Sequence, residues 1–173
     1  SSILLTGFEI PLDVARYSLK MARSKKLKTI LNPAPFFNIN HETYKLVDYL
    51  TPNEHEASAL TNINIKTVDD ARVAGKKICE LGVGTSIITM GEKGVLCTRN
   101  TLDNEGLYLP SLKRNDRVID TVGAGDVFNG AFATAISEDM NLQDSLLFAN
   151  RAASISVTKI GAALSSPYRD QIK

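Results

Sequence analysis

The sequence predicts an α/β fold in which helices cover both faces of a mostly parallel sheet. Short apolar or β-branched runs alternate along the chain with segments whose apolar residues recur at helical spacing. Turn-forming Gly, Pro and Asn residues separate these segments. The 173 residues are 43% hydrophobic and 23% charged, which is ordinary globular composition and suggests one domain with a sizeable core.

The N-terminal part of the chain predicts three strands and one helix. Pro11 suits the first turn of a helix, and behind it Ala15, Leu19 and Ala22 recur at helical spacing. Short apolar runs that end at turn residues predict the strands, at residues 3–8, 28–31 and 46–50.

The middle of the chain predicts a capped helix followed by two strands. Thr67 and Asp70 have the spacing of a capping box, and Gly82 is a natural helix end. One face of this helix is apolar, with Ala71, Ala74, Ile78 and Leu81. Downstream the sequence predicts strands at 85–90 and 95–98, a turn at 91–94 and a hairpin tip at 103–106.

The C-terminal part of the chain predicts two helices. Residues 117–120 lead into a glycine-rich turn, and a small, apolar, helix-compatible stretch runs from near Asp126 to Ile136. A second helix, rich in Ala and Ser, is predicted from Gln143 to Lys159. The hairpins in the middle imply some antiparallel strands, and the crossovers between parallel strands should be right-handed.

Composition and charge exclude several classes of function. The net charge of +1 predicts no nucleic-acid partner. No apolar run approaches the roughly 20 residues of a bilayer span, and no basic leader precedes the first apolar stretch. We therefore expect no membrane partner, no signal peptide and a cytoplasmic location. Cys79 and Cys97 are expected to be buried thiols rather than a disulfide.

Several catalytic motifs are absent from the sequence. No G-x-x-x-x-G-K-[ST] pattern occurs, so a P-loop is excluded. Phe128 stands where a dinucleotide fingerprint needs its third glycine. His41 and His55 each begin a zinc-helix pattern that lacks its second histidine, and no G-x-S-x-G elbow of a hydrolase occurs.

The strongest chemical signal is VIDTVGAGDVFNGAFATA at residues 118–135. A strand end, a glycine-rich turn and a helix start follow one another there, and Gly123 and Gly125 permit close backbone approach. Free amides at a helix start attract anions and would stabilise a transferring phosphoryl group. Asp126 is placed to take a proton from an attacking hydroxyl. The alternative is that Asp126 is an N-cap and the glycines only make a turn.

Five segments, in order along the chain, resemble the ribokinase-like (PfkB) family of carbohydrate kinases. They are NPAP at 32–35, TPNEHEA at 51–57, TMGEKGV at 89–95, DTVGAGDVFNGAFA at 120–133 and SVTKIGAALSSP at 156–167. The fourth is highly specific, and NPAP, TPNE and the last segment favour the ribokinase branch. The resemblance implies a three-layer αβα, Rossmann-like fold and transfer of the γ-phosphate of ATP to a sugar hydroxyl, with ribose as the expected sugar.

The resemblance also implies which residues surround the reacting phosphate. Asp126 matches the catalytic base, which also contacts the sugar substrate. Asn53 and Glu56 match an N-x-x-E pair that organises the phosphates and Mg²⁺, partly through water. Considered alone, this pair would be a helix start with an N-cap and exposed acids. The anion hole is matched by Gly123, Ala124 and Gly125.

Further matches concern the nucleotide and the sugar. A turn that lies along the nucleotide matches Thr89, Gly91 and Gly94, which would otherwise be an ordinary β-turn. Asn150 matches a residue near the adenine. Glu9 matches a sugar-contacting glutamate, although Gly7 and Phe8 before it depart from the family pattern. A strand-end carboxylate that faces solvent is the alternative for Glu9.

A monovalent-cation site is implied as well. In the family it is built largely from carbonyls and binds potassium. The residues that match it are Asp120, Val122, Ser156, Gly161 and Ser165. Asp120 could otherwise be a loop cap.

The family fold is longer than this chain. At the N-terminus it has further strands of the main sheet, a small β-sheet lid through which ribokinases often dimerise, and most sugar-binding residues, and at the C-terminus a final helix is expected. The chain therefore resembles the nucleotide-binding, catalytic C-terminal part of such a domain, residues 1–173, and alone it should phosphorylate sugar poorly or not at all. Two alternatives stay open: a kinase for a nucleoside, another sugar or a sugar acid, and a truncated, non-catalytic nucleotide-binding module.

Overall fold

The computed structural model describes residues 2–99, 105–112 and 117–172. The chain forms two compact units. We call Ser1–Met90 with Leu96–Tyr108 the first unit, and Gly91–Val95 with Leu109–Lys173 the second unit. Of the hairpin tip predicted at 103–106, residues 103 and 104 lie outside the described residues.

The described strands form one sheet whose spatial order follows the chain, from β1 to β6. β1, β2, β3 and β4 pair in parallel, which confirms the predicted parallel sheet. Helices connect these four strands, as parallel neighbours require, since a tight turn cannot bring the chain back to the same end of a sheet. The strands are β1 (Ile3–Thr6), β2 (Lys28–Leu31), β3 (Tyr49–Leu50), β4 (Thr85–Thr89), β5 (Val95–Arg99) and β6 (Leu107–Leu109).

Six α-helices are formed by the described residues: α1 (Leu12–Ser24), α2 (His41–Tyr44), α3 (Glu54–Thr61), α4 (Val68–Glu80), α5 (Ala124–Ser137) and α6 (Leu142–Ser156). Three short 3₁₀ turns lie at Gly91–Lys93, Ala163–Ser165 and Arg169–Gln171.

The helical periodicity of the sequence is confirmed in α1 and α4. Pro11 is the N-cap of α1, whose buried residues are the predicted Ala15, Leu19 and Ala22. The capping box of α4 is present: the Thr67 amide donates to the Asp70 carboxylate at 2.8 Å, and the Asp70 amide donates to the Thr67 hydroxyl at 3.1 Å. Because the box fixes where the helix starts, it also fixes which face meets the sheet.

The strand predicted at 46–50 is wrong over its first three residues, because β3 contains only its last two. The amides of Leu46 and Val47 donate to carbonyls of α2 at 3.1 and 3.0 Å, so these residues continue the turn after that helix. The sequence analysis did not predict α2, which begins at the N-cap Asn40.

The first strand and the last helix also have other bounds than predicted. β1 ends at Thr6 because the Phe8 amide donates to the Ala34 carbonyl at 3.0 Å, outside the ladder with β2. α6 begins at Leu142 because Asn141 caps it by accepting the Asp144 amide at 2.9 Å, and it ends at Ser156 rather than Lys159.

Each unit has its own apolar core. In the first unit α1 and α4 pack on the sheet through buried Leu19, Leu31, Leu50, Ile78 and Ile88. In the second unit α5 packs along α6, and Phe132 on α5 and Leu146 on α6 are buried. Burying a Leu or Phe side chain typically contributes about 1.5–3 kcal/mol to the stability of a fold. The cores therefore fix the strands and helices of each unit, and with them the starting points of the loops that follow.

Cys79 and Cys97 are buried free thiols, as predicted. Burial raises the pKa of the Cys97 thiol to about 12, so it is inert near neutral pH. None of the helices in the described part of the chain has both the length and the apolar character of a membrane span.

Candidate functional site

In the first unit, predicted site residues follow the carboxyl ends of neighbouring parallel strands. Glu9 comes after β1, Asn53 after β3, and Thr89 ends β4. Asn53 and Thr89 form a parallel bridge, and the Thr89 amide donates to the Pro52 carbonyl at 3.0 Å. Because carboxyl ends of parallel strands share one edge of the sheet, this edge is where an α/β fold binds ligands. Glu9 is exposed there, so both the sugar contact and the solvent-facing carboxylate remain predictions.

Asn53 and Glu56 form a capping box at the start of α3. The Asn53 amide donates to Glu56 Oε2 at 2.8 Å, and the Glu56 amide donates to Asn53 Oδ1 at 2.9 Å. The local interpretation of this pair as a helix start is therefore confirmed. The capping box is compatible with a further role of the pair in organising phosphates, because Glu56 Oε1 takes no part in the box.

In the second unit, the glycine-rich turn forms the start of α5. Gly123 is the N-cap and has φ 78°, a left-handed conformation that glycine adopts without strain. A Cβ atom on Gly123 would also lie 2.7 Å from Ala162 Cβ and 2.9 Å from its Cα. This turn therefore needs glycine for both conformation and space.

The first turn of α5 presents free amide donors. The Ala124 amide donates to the Thr121 carbonyl at 3.3 Å, and the Val127 amide donates to the Gly123 carbonyl at 2.9 Å. Between them, the amides of Gly125 and Asp126 have no hydrogen-bond acceptor among the described residues. Free amides at the positive end of a helix dipole form a site for an anion.

Asp126 lies in the same turn, and its carboxylate is exposed. It lines a cleft of about 570 Å³ within the second unit, together with residues of α5, α6 and the segment 162–172. Gly130 and Ala131 on α5 and Ala152 on α6 keep this cleft open because their side chains are small. Asp126 therefore has both an adjacent anion-binding turn and room for a reactant.

Asp120 connects the two loops that were predicted to hold a cation. Its Oδ1 accepts the Val122 amide at 2.9 Å, and its Oδ2 accepts the Gly161 amide at 3.0 Å. These two amides hold the pKa of the Asp120 carboxyl below its ordinary value. The local interpretation as a loop cap is thus confirmed, and it brings Val122 and Gly161 together. Ser156 and Ser165 are buried and each donates its hydroxyl to a backbone carbonyl.

We expect Asp120→Asn to change the acid stability of the chain. A carboxyl whose pKa is lowered by folding stabilises the fold above its unfolded pKa, about 3.9, and this stabilisation is lost as the pH falls through the folded pKa. The parent should therefore lose more free energy of unfolding than the variant between pH 6 and pH 2. Urea unfolding at both pH values measures this difference.

The control for this prediction is Asp170→Asn, which changes an exposed carboxylate of the same unit. Because Asp70, Glu42 and Glu138 also have lowered pKa values, the parent-minus-variant difference is the relevant quantity. An equal acid sensitivity of parent and Asp120→Asn would contradict the prediction.

The turn at Gly91–Lys93 and the residue Asn150 complete the predicted nucleotide contacts. Gly94 has φ 101°, and a Cβ atom there would clash with the Leu109 carbonyl oxygen. Gly94 is therefore required by packing within the second unit. Asn150 is buried on α6 and donates from Nδ2 to the Pro110 carbonyl at 3.0 Å. Their contacts with a nucleotide remain predictions.

The sequence analysis missed Asn129. It is buried on α5 beside Phe128 and donates from Nδ2 to the Gly125 carbonyl at 3.0 Å. The signal was present in the sequence: Asn129 is a polar residue on the face that carries Phe128 and Phe132. A polar side chain that is buried in an apolar face normally makes a hydrogen bond, so its partner is worth identifying.

The model of the pfkB family of carbohydrate kinases matches residues 8–169. The chain belongs to this family. Ribokinase of Haemophilus influenzae is 36% identical over 173 residues, which cover 99% of this chain and 54% of that protein. The chain thus spans about half the length of the curated relatives it matches, here members of the same kinase family.

Two solved ribokinase structures share the fold. That of Thermotoga maritima has a TM-score of 0.85 at 41% identity, over 99% of this chain and 55% of that one. That of Arabidopsis thaliana, complexed with ribose and ATP, has a TM-score of 0.93 at 31% identity, over the same shares. The predicted three-layer αβα, ribokinase-like fold with a mostly parallel sheet is confirmed for this family member.

Enzymes that transfer the γ-phosphoryl group of ATP generally use a divalent cation that bridges the phosphate oxygens. Across residues 2–99, 105–112 and 117–172, no group of three or more His, Cys, Asp or Glu side chains is placed to hold a metal ion. Mg²⁺ does not need such a group, because it keeps several waters and takes one or two carboxylates plus phosphate oxygens. Glu56, with Oε1 outside its capping box, fits that donor set.

Proposed function

We propose that this chain forms the nucleotide-binding and catalytic part of an ATP-dependent sugar kinase that acts on ribose. The supporting observation is the first turn of α5, where the exposed Asp126 carboxylate adjoins the free amides of residues 125 and 126. A proton acceptor beside an anion-binding turn is what in-line phosphoryl transfer to a hydroxyl requires. Among the relatives, the Arabidopsis ribokinase was solved with ribose and ATP.

Asp126 is the general base in this proposal. It takes the proton of the sugar hydroxyl while that oxygen forms a bond to the γ-phosphorus and the bond to the β,γ-bridging oxygen breaks. The products are a sugar phosphate and ADP. The amides of Gly125 and Asp126 lie where negative charge grows on the γ-phosphoryl oxygens, so they stabilise the transition state more than the ground state.

Glu56 and Asn53 would hold Mg²⁺ and the phosphates, in part through water. Bound Mg²⁺ would supply positive charge that neutralises the phosphate oxygens. The capping box fixes the Glu56 side chain through Oε2 and leaves Oε1 for a water ligand. Thr89, bridged to Asn53, would contact the nucleotide. Gly91, Gly94 and Asn150 would also be nucleotide contacts.

Asp120 and the two loops that it joins would hold a potassium ion. The ligands would be oxygens of Asp120, Val122, Ser156, Gly161 and Ser165. The fit rests on their chemistry, because the carboxylate is kept charged by two amides and both serine hydroxyls donate elsewhere, which leaves oxygen lone pairs free. The ion would add positive charge near the start of α5, which Asp120 precedes by four residues.

Glu9 would contact the sugar, whose remaining contacts belong to the part of the relatives that this chain does not span. The longer protein would be the active sugar kinase and a homodimer. For the isolated chain we expect nucleotide binding with little or no turnover of ribose.

The test of the nucleotide site is calorimetric titration of the chain with ATP and Mg²⁺. We expect the Asn53→Ala, Glu56→Ala double variant to bind at least about tenfold more weakly, the scale of losing a hydrogen bond to a charged group. The matched control is Thr67→Ala with Asp70→Ala, which removes the other capping box of the same unit. Both variants lose a helix cap, but only the first should lose nucleotide affinity.

Potassium should increase the affinity or the heat of binding in the parent and not in Asp120→Asn. Equal weakening by both capping-box variants would mean that helix stability, rather than contact with phosphate, controls binding. An absence of binding in a folded parent would contradict a nucleotide site on this chain.

A further inference from the structure

Asn129 stands out among the polar residues of the second unit because one of its two amide atoms has no use within the fold. It is 5% exposed on the inner face of α5. Its Nδ2 donates to the Gly125 carbonyl at 3.0 Å, whereas its Oδ1 is buried without a hydrogen-bond partner in the described part of the chain.

A buried carbonyl without a hydrogen bond destabilises a fold, since it gives up its bond to water. A leucine at position 129 would have a similar volume and would avoid this loss. The stability of the core therefore does not explain why an asparagine stands at position 129. The feature that distinguishes Asn129 from a leucine is its hydrogen bond to the Gly125 carbonyl.

The Gly125 carbonyl belongs to the same peptide unit as the Asp126 amide. That unit is planar and trans, so its C=O and N–H point in opposite directions. A side chain that donates a hydrogen bond to the Gly125 carbonyl therefore also restrains the direction of the Asp126 amide at the opposite side of the same peptide unit. The Asp126 amide is one of the two free donors of the turn.

Gly125 gives this peptide unit little restraint of its own. A Cβ atom at Gly125 would meet none of the described residues beyond its own helical turn within 4 Å, and glycine is the residue with the largest backbone freedom. The amides of Gly125 and Asp126 are also without an acceptor among the described residues. The Asn129 side chain thus adds a second restraint to a carbonyl that otherwise has only its place in the helical ladder of α5.

We propose that Asn129 is a positioning residue, which aims the Asp126 amide at the γ-phosphoryl group by holding the Gly125 carbonyl. The proposal rests on the proposed function for the identity of the anion. Its first part, the control of the amide direction, concerns the ligand-free chain and is tested without nucleotide.

Two variants separate positioning from packing. Asn129→Leu removes the donor, adds no charge and avoids the unpartnered oxygen. Asn129→Ser leaves a smaller side chain but keeps a donor, because serine in a helix can donate to the carbonyl four residues earlier. Ser58 and Thr134 make that bond in this chain, at 2.6 and 2.9 Å.

The first measurement is the ¹⁵N order parameter of the Asp126 amide in the 173-residue chain without ligand, beside the urea midpoint. We expect a rigid value near about 0.85 in the parent and in Asn129→Ser, and a fall toward about 0.6 in Asn129→Leu. Stability should follow a different order, with Asn129→Leu at least as stable as Asn129→Ser. The same order parameter in all three chains, or one that follows stability, would overturn the proposal.

The second measurement is the affinity of the three chains for Mg²⁺–ATP by calorimetry. Asn129→Leu should bind about tenfold more weakly or worse, the scale of one misdirected hydrogen bond to a charged group, and Asn129→Ser should recover most of the affinity. Unchanged affinity in Asn129→Leu would overturn the role toward phosphate. If the parent itself does not bind, the proposed function fails, and the order parameters still decide whether Asn129 directs the amide.

Discussion

Replacing Asp126 with Asn should reduce sugar phosphorylation by about 10²–10⁴-fold or more, the usual scale for losing a general base. Asparagine has nearly the same shape, but its amide cannot accept the proton of the attacking hydroxyl. The Asp126 side chain is exposed and makes no hydrogen bond within the described residues, so the fold should tolerate the change. Affinity for Mg²⁺–ATP should be kept, because the free amides of the turn remain.

Steady-state kinetics of a longer, active form of the protein, with ribose and ATP, would measure this effect. Asp144→Asn is the matched control. Asp144 occupies the same position in the first turn of α6 that Asp126 occupies in α5, the third residue after the N-cap. A near-normal rate for Asp126→Asn would show that another group takes the proton.

Gly123→Ala should destabilise the chain by about 2–5 kcal/mol. The left-handed conformation costs a residue with a Cβ atom about 1–2 kcal/mol, and overpacking costs about 1–3 kcal/mol. Overpacking is expected because the new Cβ atom would lie 2.7 Å from Ala162 Cβ. Urea unfolding followed by circular dichroism would measure the loss as a lower midpoint with an unchanged slope.

Gly125→Ala is the matched partner, since it introduces the same methyl group two residues later. Beyond its own helical turn, no described residue lies within 4 Å of a Cβ atom at Gly125, so the fold should become about 0.5–1 kcal/mol more stable, as expected for Gly to Ala in a helix. We nevertheless expect weaker binding of Mg²⁺–ATP, because the methyl group would stand where the phosphate approaches. Unchanged affinity in Gly125→Ala would show that no ligand approaches the chain at that point.

Much of the fold could be predicted because local chemistry decides it. The capping box at Thr67, the proline before α1 and the spacing of Ala15, Leu19 and Ala22 act within a few residues of each other. Where a distant partner acts, the prediction failed. β1 ends early because the Phe8 amide donates to the carbonyl of Ala34, which is distant in the sequence and leaves no periodic pattern. The beginning of the strand predicted at 46–50 failed for a local reason, because α2 is too short to show a helical period and the turn after it includes Leu46 and Val47.

The residues of the candidate site also fall into two groups, those that a local motif indicates and those whose role depends on the folded structure. Asp126, Gly123 and Gly125 could be selected because their motif combines a turn, a helix start and a carboxylate within four residues. Asn129 could not be assigned a role, since its importance depends on the peptide plane that its side chain contacts. For Asn53 and Glu56 the sequence left two interpretations open, a helix cap and a phosphate site. The structure has the helix cap, and Glu56 Oε1 takes no part in it.

By itself the sequence determined the fold class, the kinase family and the turn that carries Asp126, because periodicity and motif spacing are properties of neighbouring residues. Only the tertiary structure decided which amides of that turn stay free, that Asp120 joins two loops 41 residues apart, and that Gly123 is needed against Ala162. Each of these depends on which distant backbone atoms come within hydrogen-bond or van der Waals distance. That proximity is fixed by the packing of whole helices and strands rather than by any local pattern.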